Sequence, residues 1–199
     1  MAKSDPNAAK KEKQKTRKWV ITIFFVTILV SGVISLASDA IMSRSNMVVA
    51  FIILLLIIFV GIIFDIVGMA VASANEKPFH AMAARKVPGA KECITLLRNA
   101  ERVSSICNDV VGDICGVVSG AASATIAAQV LVNFEFGWPD VVSLVMSSLV
   151  AALTVGGKAI GKGFAVGSCT EIVYHAGQLI YFVNNIGSIF HRDKKKKKR

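Results

Sequence analysis

The chain has 199 residues, of which 54% are hydrophobic, and a formal net charge of +10. A water-soluble domain of this length rarely reads so apolar, and here the apolar residues fall in long blocks with charge pushed to the ends and one middle stretch. The basic residues flank those blocks, where membrane orientation and anionic lipid account for them, so nucleic acid is excluded as the main partner.

Residues 1–17 are polar and Lys-rich and predict a disordered basic tail. Residues 18–38 (KWVITIFFVTILVSGVISLAS) carry one Lys at the edge and no acid. A helix of that length crosses the roughly 30 Å hydrocarbon layer. The run is long for a signal peptide, and no small-x-small cleavage site follows it, so it predicts a first span. A short loop, 39–46, leads to a second span at 48–72, whose single charge is Asp65. Residues 73–102 are mixed and basic, with Pro78 and Pro88, and predict short amphipathic helices at the membrane surface.

A third span, 103–133, is rich in Gly, Ala and Ser. The loop 134–140 follows, with Phe134, Phe136 and Trp138 suited to the headgroup zone. The fourth span, 141–162, begins after Pro139. Residues 168–190 are apolar but include Glu171, His175, Gln178, Asn184 and Asn185, with Ile172, Ala176, Leu179, Val183 and Ile186 at helical spacing. That pattern favours an amphipathic or partly embedded helix over a fifth span. The tail 191–199 is polybasic. The expected fold is therefore all-α: a four-span bundle over residues 18–190 with juxtamembrane helices.

Lys and Arg counts set the orientation. Segment 1–18 holds seven, loop 39–46 only Arg44, segment 73–102 six, loop 134–140 none, and the rest lie from Lys158 onward. Four spans with both termini in the cytoplasm satisfy every loop, and the basic tails then lie against anionic lipid. The cysteines, Cys93, Cys107, Cys115 and Cys169, form no CxxC pair and read as free packing thiols.

Ionisable groups inside a bilayer cost about 2.5–3.5 kcal/mol each on insertion scales. Asp65, Asn108, Asp109, Asp113, Lys158 and Lys162 all fall in the inner half of the predicted bundle. Asp109 and Asp113 are four apart, as are Lys158 and Lys162. Two arrangements satisfy this. The acids and Asn108 line a cavity for a hard cation such as Mg²⁺, which takes oxygen ligands. Alternatively the lysines pair with the acids or snorkel to the interface. Gly112, Gly116 and Gly120 repeat every four residues and predict a close helix-packing seam. Glu171 and His175 predict only an interfacial contact. No nucleophile–base arrangement or dinucleotide fingerprint is present, and GGKAIGKG at 156–163 lacks the Lys-Ser/Thr ending of a phosphate loop, so an enzyme is not expected.

Three stretches carry a family resemblance. Ile63-Phe64-Asp65-Ile66-Val67-Gly68-Met69-Ala70, the basic linker GAKECITLLRNAERVSSICNDVVGDI, and Gly157-Lys158-Ala159-Ile160-Gly161-Lys162 occur in order. Over roughly residues 50–190 the chain resembles the transmembrane domain of the CorB/CorC (cyclin M) family of magnesium and cobalt efflux proteins. The family has Phe-Phe-Ser-Gly-Ser-Glu-Thr-Ala in the first stretch, an Asn-x-x-x-Asn pair after the linker, and Gly-Glu-Ile-Ile-Pro-Lys in the third. Asn108 matches the first Asn of the pair, Gly112 stands at the second, and Lys158 stands where the family has Glu. The resemblance implies divalent-cation transport, a homodimer and a bacterial cell membrane. It carries over Asn108 alone as a ligand-like residue, with Asp65 a substitution that keeps an oxygen ligand. Together with the acidic cluster it puts metal near Asp65, Asn108, Asp109 and Asp113. The changed ligands leave open a small non-transporting membrane protein that binds a partner protein or anionic lipid.

Overall fold

The computed structural model describes residues 6–42, 45–134 and 138–196, and the side chains of 17–38, 40–41, 45–133 and 138–185. It is all-α, with no strand among the described residues. The helices are α1 (Pro6–Met42), α2 (Met47–Ser73), α3 (Lys77–Ala84), α4 (Ala90–Arg98), α5 (Ala100–Ser105), α6 (Asp113–Phe134), α7 (Pro139–Gly167) and α8 (Cys169–Lys196), with a π-helical stretch, Ile106–Gly112, between α5 and α6.

Among the described residues four helical segments are long and apolar enough to cross a membrane: Arg17–Ser38, Met47–Ser73, Ala100–Asn133 and Pro139–Gly167. By length and composition these helices fit a multi-pass integral membrane protein. Their outward surfaces make the same point. Phe24, Leu29, Leu56, Phe59, Leu144 and Ile160 are all exposed, and apolar surface on that scale belongs in lipid.

The boundaries depart from expectation mainly at the ends. α1 starts at Pro6 rather than at residue 18, so the helix takes in described residues of the segment that composition alone reads as a disordered tail. Proline is well suited to a first turn, and Lys, Glu and Gln are good helix formers, so the apolar helix propagates backward through them. The predicted loop 39–46 is shorter than expected, because α1 continues to Met42. At the other end α8 runs from Cys169 through Lys196 as one helix and includes part of the polybasic tail. Among the described residues α8 is not one of the segments apolar enough to span, as its polar positions predict. Phe136 lies outside the described residues. Trp138 is exposed one residue before Pro139 begins α7.

Two buried clusters hold the bundle together. In one, Ala50, Leu54 and Ile58 of α2 meet Ala122 and Ile126 of α6 and Val150 of α7. In the other, Ala70 and Val71 of α2 pack with Phe79 of α3, Cys93 and Leu97 of α4, Ala165 of α7 and Val173 of α8. α2 therefore runs through both, and Asp65 lies on it between them. α1 stands at the edge: it touches α6 and α2, yet none of its most apolar stretch is buried.

Glycines set how closely the helices approach. Gly157 and Gly161 of α7 are four apart, and so are Ile62 and Ile66 of α2, which pack onto them. A Cβ at Gly161 would come within 2.7 Å of Ile66, and one at Gly157 would overlap Ile62. This is ridge-into-groove packing with the groove cut by missing side chains. Gly61 serves the same end against Cys115 of α6, where an added Cβ would lie 2.8 Å from the Cys115 Cβ.

Within one chain, only Gly112 of the predicted seam of Gly112, Gly116 and Gly120 packs against a neighbouring helix. Gly112 is buried in the bundle, but a Cβ on Gly116 or Gly120 would meet nothing within 4 Å. Two residues on a helix lie about 200° apart, so Gly116 and Gly120, each midway between buried positions of α6, face away from its packed side. The buried face of α6 instead follows Ile114, Val118, Ala122 and Ile126, with Ser119 and Ser123 beside them. Those serines satisfy their hydroxyls locally, donating to the carbonyls of Gly116 (2.9 Å) and Gly120 (2.7 Å).

Candidate functional site

Asp65 is 4% exposed although it sits on the most apolar helix of the chain. It faces the junction of α2, the π-helical stretch and α7. The Lys158 ammonium, from α7, lies 3.8 Å from Asp65 Oδ1. That distance is an ion pair but is too long for a direct hydrogen bond. Gly112 makes room for it: a Cβ there would lie 3.2 Å from Lys158 Nζ and 3.7 Å from Asp65 Oδ1. One turn further along α2, Gly68 leaves space for the Asn108 carboxamide, which a Cβ would overlap. Asn108 Nδ2 donates to Ser104 Oγ at 3.4 Å. Asp65 Oδ2 and Asn108 Oδ1 are buried and accept no hydrogen bond from the described protein groups.

The other predicted members of the site lie elsewhere. Asp109 is exposed and accepts a hydrogen bond from Ser105 Oγ at 2.7 Å. Asp113 and Lys162 are also exposed. Consecutive residues on a helix differ by about 100°, so Asn108 and Gly112 can face inward only if Asp109 and Asp113 turn away. The π-helical winding also changes the phase between residues before and after it, which a fixed 3.6-residue reading does not capture.

The four residues predicted as ligands do not converge on one point. A hard cation takes oxygen ligands, for Mg²⁺ one or two carboxylates with several waters. Here two of the four proposed ligands turn outward, and Asp65 already faces a protein ammonium. No group of three or more His, Cys, Asp or Glu suited to a metal occurs among the described residues. The arrangement is a buried acid whose counter-charge is covalently tethered to the neighbouring helix.

A second close contact lies among the juxtamembrane helices. Gly89, at φ +85°, begins α4, and a Cβ there would stand 3.0 Å from the Gln178 backbone. Gly177 of α8 faces Cys93, whose thiol donates to the Val173 carbonyl at 3.4 Å. Burial, and then the adjacent Glu92 carboxylate, pushes the Cys93 thiol above its ordinary value. The reactive thiolate is therefore scarce there at neutral pH. With single-cysteine variants, a maleimide is expected to label half-buried Cys169 readily and Cys93 only after unfolding. Equal rates at the two would mean that α4 and α8 do not stay docked.

Around these contacts Glu76 accepts from His80 at 3.2 Å and lies 3.9 Å from Arg98, tying α3 to α4 at the exposed surface. The predicted Glu171–His175 contact is not among the described ion pairs; the His175 ring stands 6.0 Å from the Tyr174 ring instead. The sequence reading missed Gly61, Gly68, Gly157, Gly161 and Gly177 as contact points. The four-residue spacing of Gly157 and Gly161, matched by Ile62 and Ile66, was the available signal. No family model, curated protein or solved structure matches the chain.

Proposed function

We propose that this protein is a multi-pass membrane protein that does not move divalent cations and that acts by binding a partner protein or lipid. On this reading the sequence resemblance to the CorB/CorC transport domain is one of ancestry without transport, because the inner polar site is closed by the chain's own lysine. The observation that carries this reading is the Lys158 ammonium 3.8 Å from Asp65, in the place a mobile cation would need. The outward Asp109 and Asp113 support it further, because they supply no ligands to that place.

In the same reading the protein lies in a bacterial cell membrane with both termini in the cytoplasm, following its Lys and Arg distribution. It has no catalytic role. It works as a homodimer, each copy offering outward acids at Asp109 and Asp113 and an outward base at Lys162. Its basic tails rest on anionic lipid.

The test is flux. Proteoliposomes holding a Mg²⁺-sensitive dye are expected to respond to external Mg²⁺ or Co²⁺ no faster than protein-free vesicles. Saturable uptake by the wild-type protein that disappears in Asp65→Asn would overturn the reading.

A further inference from the structure

Two cavities on the juxtamembrane side adjoin one another. The first, about 630 Å³, lies between α2, the start of the third span and α8, and is lined by Ile66, Val67, Cys107, Ala176 and Leu179 among others. The second, about 340 Å³, is lined by Lys91, Glu92, Thr95, Asn99 and Asn184. Leu96, Val103 and Ile180 line both, so an almost wholly apolar groove lies next to a more polar mouth. Both volumes are of the size that holds small ligands.

The surroundings say what fills it. The groove wall comes from the α2 segment Ile63–Val67, inside a helix that crosses the membrane. α8, its other wall, exposes Leu179, Phe182 and Val183, each more than 60%. A helix with that surface rests in the interfacial zone, not in water. The groove is therefore presented to acyl chains, and its mouth to headgroups.

The mouth carries one base and one acid, Lys91 and Glu92, together with the amides of Asn99 and Asn184. The nearby Arg98 is drawn to Glu76 instead. A net charge of zero complements a headgroup with one phosphate and one ammonium. A primary ammonium can donate charged hydrogen bonds to Glu92, whereas a quaternary one cannot, and the glycerol of phosphatidylglycerol offers Glu92 only neutral hydroxyls.

We propose that this groove is a lipid site. It takes one acyl chain of a zwitterionic phospholipid, with the phosphate at Lys91 and a primary ammonium at Glu92. This rests on the two cavities and is independent of whether the protein moves cations.

The test uses the full chain, purified in mild detergent and stripped of native lipid. It is mixed with phosphatidylethanolamine, phosphatidylcholine or phosphatidylglycerol of matched acyl chains, and bound lipid is counted by native mass spectrometry. One phosphatidylethanolamine is expected to be held about tenfold more tightly than either other lipid, as one charge-assisted hydrogen bond allows. Glu92→Gln removes that preference, and Lys91→Ala weakens all three lipids. Ala176→Trp fills the groove and abolishes binding, while Val132→Trp, which introduces the same indole at an exposed position on α6, does not. Lys91 is exposed and Glu92 half-buried, so their variants carry the test if Ala176→Trp fails to fold. Only the lipid that Ala176→Trp releases is counted, which leaves out phosphatidylglycerol held by the basic tails. On that count, equal retention of the three lipids or a preference for phosphatidylglycerol overturns the proposal, as does unchanged binding in Ala176→Trp. So does a protein dimer that takes the place of lipid and is lost in Ala176→Trp.

Discussion

Lys158→Met is expected to destabilise the folded chain by about 3 kcal/mol. Removing one partner of a buried ion pair leaves the other charge without compensation, at a typical cost of about 3–5 kcal/mol. The lower end applies because the Lys158 side chain is 21% exposed and the pair is 3.8 Å apart. The double variant Asp65→Leu/Lys158→Met is expected to recover most or all of that loss. Asp65 Oδ2 and Asn108 Oδ1 receive no hydrogen bonds from the described protein groups, so the native arrangement already carries a desolvation cost that apolar groups avoid. Unfolding in mixed detergent–SDS micelles, followed by circular dichroism, measures both variants. A Lys158→Met protein as stable as wild type would show that the pair contributes nothing. A double variant no better than Lys158→Met would assign the loss to packing around the lysine stem, not to charge.

Gly177→Ala is expected to cost about 2–3 kcal/mol and to release α8 from α4, within the range for overpacking a tight contact. Its Cβ would overlap Cys93 Sγ, and it would also stand 2.9 Å from the Gly89 carbonyl oxygen and 3.2 Å from the Cys93 nitrogen. A thiol can be removed, but those backbone atoms cannot move without shifting α4. Adding Cys93→Ala to Gly177→Ala is therefore expected to restore only part of the loss. Amide hydrogen exchange along α8 reads the effect locally, with faster exchange from Cys169 to Gln178 in the single variant. Unchanged exchange there would mean that α8 is held by its contacts with α2 alone.

The contrast between these two contacts shows what sequence spacing can and cannot convey. The four spans were legible because each is a long apolar run, and lipid as solvent demands little else. α8 was legible as a non-spanning helix because Glu171, His175, Gln178 and Asn184 interrupt its apolar positions. The Asp65–Lys158 pair was legible as one of two alternatives, since both residues fall at one depth. Choosing between them needed the rotation of each helix about its axis, which the π-helical stretch alters near Asn108. The Gly177–Cys93 contact was not legible at all. It joins residues more than 80 positions apart, and neither carries a local pattern that names its partner.

α1 lies against a bundle whose two buried clusters draw no residue from it. Lipid tails are as apolar as its own Phe, Leu and Val side chains, so no solvent force presses it inward. What keeps it beside α6 is contact alone and the short connection to α2. That leaves it the spanning helix least tied to the rest: its removal would take no residue from either buried cluster, so the other three can keep their packing without it.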